Sequence, residues 1–359
     1  MPDKPEGRAP FLMAGGGTGG HVIPALAVAD ELRRRGHDVF FVGTERGLEA
    51  KLVPAAGFEL KKIEIGGLNR VSARRRLTTL ARLPFATIGS MGYRTSAVFS
   101  MGGYVAGPAV LAALAKRVPV VVMEPNAIPG FTNRVIGRLA ARALISFPET
   151  ARYFARGKSE LTGLPVREEF FAIPPKPRGD RLHLLITGGS QGSHTLNRAS
   201  RESWPLFRAA GFPIRIVHQC GVNELEAMRQ AFAESGLEGE VTPFVADMPA
   251  AFGEADLVVS RSGAGAVSEL AAAGKPAVLV PFPFAANDHQ ARNAEAIERG
   301  GAARLVVDAQ MSGERLYALV RALAETEGEL ERMGAAARQF ARPGAAARAA
   351  EILEAVAAW

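Results

Sequence analysis

A chain of 359 residues with 48% hydrophobic content exceeds the usual size of one core and predicts two domains. Its one cysteine, Cys220, excludes a disulfide within the chain, and no apolar run is long enough for a membrane-spanning helix. The net charge of +7 is uneven: residues 65–123 hold no Asp or Glu but hold Arg70, Arg74, Arg75, Arg76, Arg82, Arg94, Lys116 and Arg117, a field suited to an anionic partner.

The first residues lack the shape of a signal peptide, which points to the cytoplasm. Phe11 to Ala14 reads as a short buried strand. The turn Gly15-Gly16-Gly17-Thr18-Gly19-Gly20-His21 follows, then a helix from Val22 to Arg35 stopped by Gly36, then a strand from Val39 to Val42. This βαβ unit contains G-x-G-x-x-G, whose bare helix amides suit a phosphate. A nicotinamide site wants an acidic residue at the end of the second strand. The chain has Gly43-Thr44 there and Glu45 comes late, which disfavours an oxidoreductase.

Arg70 to Ile88 draws as an amphipathic helix up to Pro84. Leu77, Leu80 and Ala81 share one face; Arg75, Thr79 and Arg82 share the other. This is either an ordinary surface helix or one resting on an anionic bilayer, and the missing acids favour the bilayer. The stretch has little aromatic interleaving, which argues against nucleic acid. Ala97 to Ser100 is a strand leading into Met101-Gly102-Gly103-Tyr104-Val105-Ala106-Gly107-Pro108, with Pro108 in the first turn of a helix. Val118 to Met123 is a β-branched strand and Glu124-Pro125-Asn126 its exit loop, on the ligand side of a parallel sheet. Gly130 to Ala141 predicts a helix and Ala143 to Ser146 a strand. Leu161 to Pro177, with Gly163, Pro165, Pro174, Pro175 and Pro177, reads as the interdomain linker, and Arg167 lies inside it.

The second half restarts the first. His183 to Thr187 is a strand, Gly188-Gly189-Ser190-Gln191-Gly192 a turn, and a helix runs to about Ala210. Ile214 to Gln219 and Val241 to Val245 are further strands. Leu257 to Val259 leads into Ser262-Gly263-Ala264-Gly265-Ala266, then a helix stopped by Gly274, a strand Ala277 to Val280, a loop to Asn287 and a helix opening Asp288-His289-Gln290. Small residues leave the first helix amides bare, an anion seat suited to a diphosphate. Glu269 beside that seat can accept from two adjacent ribose hydroxyls; alone it would only complement the helix dipole. Gln290 and Asn293, one helical turn apart on the next unit, favour a ligand site. Gly313 to Trp359 reads as helices. The fold class is therefore α/β, two doubly wound Rossmann-like domains facing across a cleft, with boundaries at 1–164 and 165–340. Residues 341–359 form a C-terminal helix that packs back on the first domain.

The combination GGGTGGHVIPALAVA, MGGYVAGP, EPNAIPG, GGSQGS, RSGAGAVSELAAAGKPAVLVPFP and DHQARNA, running from Phe11 to the C-terminus, resembles the MurG family of bacterial glycosyltransferases. The resemblance implies a GT-B fold and transfer of N-acetylglucosamine from UDP-N-acetylglucosamine to lipid I, a polyprenyl-pyrophosphoryl muramyl-pentapeptide, in peptidoglycan synthesis. It implies a peripheral enzyme on the cytoplasmic face of the cell membrane. By position, Thr18, Gly19 and Gly20 match the loop that closes on the donor; Asn126 and Arg167 match donor contacts. Ser190 matches a diphosphate contact, and Val245 a residue whose backbone meets uracil. Ala264, Gly265, Ala266, Val267, Ser268 and Glu269 match the nucleotide turn, Gln290 a sugar contact and His21 the proposed general base. The family often reads His-Glu-Gln-Asn where this chain has Met123-Glu124-Pro125-Asn126, which loosens the acceptor assignment of that loop.

There is no Asp-x-Asp pair, the eight aspartates are scattered and no His/Cys cluster exists, so the expectation is catalysis without metal or cofactor. Amides and helix ends would then stabilise the departing diphosphate. A neutral imidazole at a helix N-terminus suits His21 for taking the acceptor's proton; it could instead only bond the loop, or bind the acceptor's pyrophosphate. Rival readings are a UDP-N-acetylglucosamine 2-epimerase-like isomerase and a non-catalytic nucleotide-binding module.

Overall fold

The structure is a computed structural model that describes residues 9–17, 19–45, 47–65 and 84–357. Thr18 and most of the expected amphipathic segment, residues 70–83, lie outside the described residues. The chain divides into two compact units, Met1–Val166 with Gly344–Trp359, and Arg167–Pro343.

Unit 1 runs β1 (Phe11–Ala14), α1 (Gly19–Arg34), β2 (Val39–Gly43), α2 (Glu49–Ala55), β3 (Glu59–Lys62), α3 (84–91), β4 (Val98–Ser100), α4 (Gly103–Ala115), β5 (Val120–Glu124), α5 (Phe131–Ile136), β6 (Arg142–Ile145) and β7 (Ser159–Leu161). Its seven strands form one parallel sheet in the order β3-β2-β1-β4-β5-β6-β7. The central strands FLMA, VFFVG and VVVME are buried almost throughout, because helices cover both faces of a doubly wound sheet. The C-terminal helix Ala345–Ala357 packs on α1. Arg35 at the end of α1 meets Glu354 at 3.0 Å, and His37 Nε2 lies 2.7 Å from the same carboxylate.

Unit 2 runs α6 (Glu168–Phe171), β8 (Leu182–Thr187), α7 (His194–Ala209), β9 (Ile214–Gln219), α8 (Leu225–Ser235), β10 (Glu238–Thr242), α9 (Met248–Glu254), β11 (Leu257–Ser260), α10 (Ala264–Ala273), β12 (Ala277–Leu279), α11 (His289–Arg299), β13 (Ala303–Leu305), α12 (Gly313–Glu325) and α13 (Glu329–Arg338). Six parallel strands take the order β10-β9-β8-β11-β12-β13. The core gathers Trp204, Phe207, Ile216, Val259 and Met333, and takes in Cys220 as a small buried apolar group.

Three local expectations are corrected. The helix predicted over Gly130–Ala141 ends at Ile136, because Gly137 lies against the Phe154 ring and weakens the helix there. The strand predicted over Val241–Val245 is Glu238–Thr242. It is an edge strand, like ELKK of β3 and SEL of β7, and polar edges carry no apolar run to announce them. The predicted linker is partly regular, for β7 ends at Leu161 and α6 occupies Glu168–Phe171.

Candidate active site

In each sheet the strand order reverses once, and loops at the carboxyl ends of the strands open there. In unit 1 the reversal lies between β1 and β4, so Gly15–Gly17 meets Met101–Gly103. A Cβ on Gly15 would come within 2.9 Å of Met101 Cβ, and one on Gly103 within 3.3 Å of His21 Cε1. His21, half-buried near the start of α1, places Nδ1 3.2 Å from Gly16 O. A carbonyl oxygen only accepts, so in this contact Nδ1 donates, and a ring in its neutral form would then hold its lone pair on Nε2. Gly19 and Gly20 form the first turn of the same helix.

One amide of the turn is already taken by the chain itself. Glu49, fully buried at the start of α2, accepts from Gly17 N at 2.8 Å, Thr44 N at 2.9 Å and Thr44 Oγ1 at 2.8 Å. Burial raises this carboxyl, but the amides of Gly17 and Thr44 outweigh it and hold the group below the usual range. Three glycines vault over it: a Cβ on Gly16, Gly43 or Gly47 would come within 2.6, 2.5 or 2.0 Å of Glu49 side-chain atoms.

The loop after β5 is likewise filled from within. Buried Glu124 accepts from Asn126 N at 3.0 Å, Asn126 Nδ2 at 3.1 Å, Gly130 N at 3.1 Å and Asn133 Nδ2 at 3.0 Å. Burial pushes its carboxyl up, and those four N–H groups oppose the rise. Asn126 is thus held as part of a loop clamp.

In unit 2 the reversal lies between β8 and β11. The loop after β8 is tight: a Cβ on Gly192 would lie 2.1 Å from Cys220 O, and one on Gly188 2.4 Å from Ser193 N. Ser193 caps α7 by accepting from Leu196 N at 3.3 Å, and Ser190 stands exposed beside it. Gln219 crosses beneath, donating to Gly189 O at 2.8 Å and accepting from Val245 N at 3.4 Å. Val245 lines a cavity of about 380 Å³ with Thr242 and Phe244.

The loop after β11 differs. Gly263 precedes α10 and no side chain caps the helix, so the amides of Ala264, Gly265 and Ala266 lack a side-chain partner among the described residues. A Cβ on Gly265 would meet nothing within 4 Å. Val267 is buried in the core, Ser268 is half-buried and Gly274, at φ 60°, ends the helix. Glu269 lies in the second turn. Burial pushes its carboxyl up to about 7, with the charge of Arg167 pulling the other way. Arg167, exposed at the start of α6, stacks its guanidinium 5.0 Å from the Phe170 ring. Glu269 makes no hydrogen bond among the described residues. Gln290 accepts from Phe282 N at 3.0 Å, and its backbone carbonyl accepts from Ser262 Oγ at 2.8 Å. Asn293 is fully buried and donates to Ser262 O at 3.1 Å, so it braces the turn.

Residues 11–145 match the Glycosyltransferase family 28 N-terminal domain and residues 183–349 its C-terminal domain. The chain belongs to glycosyltransferase family 28. This family 28 protein is 69% identical, over 98% of each chain, to a UDP-N-acetylglucosamine–N-acetylmuramyl-(pentapeptide) pyrophosphoryl-undecaprenol N-acetylglucosamine transferase of Solibacter usitatus (strain Ellin6076). It is similar to the crystal structure of Acinetobacter baumannii MurG, with TM-score 0.81 and 34% identity over 97% of this chain and 99% of that one. Its fold is of the GT-B type, two Rossmann-like α/β units in one chain. A UDP-GlcNAc 2-epimerase from Neisseria meningitidis aligns with TM-score 0.68 over 97% of this chain and 100% of that one, but at 14% identity it shares the fold alone.

Glu269, Arg167, Gln290 and residues 264–268 gather in unit 2, with Ser190 and Val245 on neighbouring strand ends; His21, Gly19, Gly20 and Asn126 belong to unit 1. Sequence reasoning passed over three supports of this family 28 site. Glu49 and Gln219 look like a helix-start acid and a strand-end amide, and only tertiary contact shows what they hold. Arg261, in the same Arg-Ser-Gly run as the anion seat, donates to Val280 O at 3.0 Å and Pro281 O at 3.2 Å and pairs with Asp308.

Proposed function

We propose that the chain transfers N-acetylglucosamine from UDP-N-acetylglucosamine to the muramyl 4-hydroxyl of lipid I, forming lipid II in peptidoglycan synthesis. The identity of 69% over nearly the full length of a transferase with that name supports carrying the reaction to this chain. The observation that supports the donor seat is the α10 turn: uncapped amides beside Glu269, a carboxyl that no group among the described residues hydrogen-bonds.

In this reading the diphosphate lies on the amides of residues 264–266, with Ser190 beside it and Val245 against the uracil. Glu269 accepts from the ribose hydroxyls, and Gln290 holds the sugar. Unit 1 serves the acceptor: the 4-hydroxyl attacks the anomeric carbon with inversion and gives its proton to His21 Nε2. As the bond to the diphosphate breaks, backbone dipoles accept the charge. Among the described residues no three His, Cys, Asp or Glu side chains gather as metal ligands, and in this reading the reaction runs without a divalent cation. Incubation with labelled UDP-N-acetylglucosamine and a soluble lipid I analogue should give a β-linked disaccharide at undiminished rate in EDTA. An α-linked or epimerised product, or activity restored only by magnesium, would overturn the reading.

The lipid acceptor requires a membrane surface, and we place this peripheral protein on the cytoplasmic face. No helix among the described residues is long and apolar enough to cross a membrane. Phe85 and Ile88 on α3 are 77% and 65% exposed. Along and just past α5, Phe131, Val135 and Leu139 recur every four residues at 72%, 56% and 66% exposure. Arg134, Arg138 and Arg142 flank them and make no ion pair among the described residues, a pattern suited to anionic lipid. Flotation with anionic vesicles should fall in Arg138→Glu/Arg142→Glu; unchanged flotation would remove α5 from this role.

A further inference from the structure

Unit 1 holds buried charge that the reaction does not use. Glu49 is such a group: fully buried, with no cation paired to it among the described residues. Its Oε2 accepts from Gly17 N at 2.8 Å. The carbonyl of the same peptide unit, Gly16 O, lies 3.2 Å from His21 Nδ1. In a trans peptide the N–H and C=O point in opposite directions. The Gly16–Gly17 peptide is therefore clamped, with a carboxylate on one side and an imidazole on the other.

We propose that Glu49 is a positioning residue for His21, acting through the Gly16–Gly17 peptide as an imidazole–carboxylate dyad with one peptide interposed. The carboxylate polarises the peptide, and hydrogen bonds in series strengthen one another. Gly16 O becomes a better acceptor, which fixes the proton on Nδ1 and leaves Nε2 as the basic nitrogen of the neutral ring. When the acceptor O–H breaks, its proton goes to Nε2 while the oxygen's electron pair forms the bond to the anomeric carbon. The bond to the diphosphate breaks with its electrons, and the Glu49 charge stabilises the imidazolium left behind. The close fit of Gly16, Gly43 and Gly47 over Glu49 is what this arrangement needs, since any Cβ there would displace the carboxylate. Thr44, through its amide and hydroxyl, holds the other carboxylate oxygen.

The inference rests on the assignment of His21 as base, but its test does not. Among the described residues, the titratable side chains packed around the turn are Glu49 beneath it and Tyr104 beside Gly17, where burial and the Glu49 charge both raise the phenol. Nitrogen-15 NMR of the full chain labelled at histidine should show His21 as the Nδ1–H tautomer. In Glu49→Gln its titration midpoint should fall by about half to one pH unit. The acid limb of kcat should move with it, with kcat down about tenfold or more and donor KM within about twofold. An Nε2–H tautomer in the unmodified chain overturns the proposal without any variant. So does a Glu49→Gln protein whose His21 titration and acid limb match the unmodified chain. If His21→Ala keeps near-normal turnover, the base assignment fails, and the NMR coupling still decides the clamp.

Discussion

Two glycine turns at the switch points of two similar sheets, one after β1 and the other after β11, are built for opposite ends. The turn after β1 is braced from inside: Glu49 sits on the Gly17 amide, and a Cβ on Gly16 would stand 2.6 Å from Glu49 Oε1. The turn before α10 is left open: no side chain caps it, and a Cβ on Gly265 would touch nothing within 4 Å. A phosphate-type sequence thus says only that backbone amides converge. Whether they await a ligand depends on whether another loop has already supplied the anion, and a glycine that the chain itself does not require points to the turn that awaits one.

The contrast can be broken most forcefully by adding one methyl to each turn. Gly16→Ala should destabilise unit 1 by about 2–3 kcal/mol, because backbone and buried carboxylate must separate. Gly265→Ala should leave the melting temperature unchanged or raised, since alanine favours the helix by up to about 1 kcal/mol. It should nonetheless weaken UDP binding in titration calorimetry. Equal melting losses for the two variants would erase the distinction.

Glu269 sharpens it further. Its folded-state carboxyl is raised from 4.5 to about 7, so in that window the folded chain binds a proton the unfolded chain lacks. The stability tied to this group is present below pH 4.5 and lost as pH rises through about 7. Glu269→Gln should therefore melt higher at pH 8, by about 1–3 kcal/mol, while binding UDP about tenfold more weakly. The smallest effect is on pH: UDP affinity of the unmodified chain should decline below pH 7, by up to about tenfold per unit, and Glu269→Gln should flatten the slope. A parallel slope in both proteins would assign the titration elsewhere.

Much of the fold was legible because fully buried parallel strands write themselves as apolar runs. FLMA, VFFVG, VVVME and LVVS needed no tertiary information. The edge strands β3 and β7 did not read and β10 read only at its end, for one side of each is unpaired among the described residues and their residues are polar. At the candidate sites the groups near a turn could be named from sequence, including His21, Glu269 and Gln290. Asn293, read with Gln290 as a sign of ligand, is a buried brace on Ser262. Glu49, Gln219 and Arg261 act on backbone distant in sequence, and neither period nor spacing carries that contact.

We propose that UDP seats on the α10 turn of unit 2 and not on the glycine turn of unit 1. A crystal structure of the full chain with UDP tests it most directly. The ribose hydroxyls should lie within hydrogen-bonding reach of Glu269, with phosphate oxygens on the amides of residues 264–266. UDP phosphate oxygens on the amides of residues 15–17, with Glu49 displaced, would contradict it.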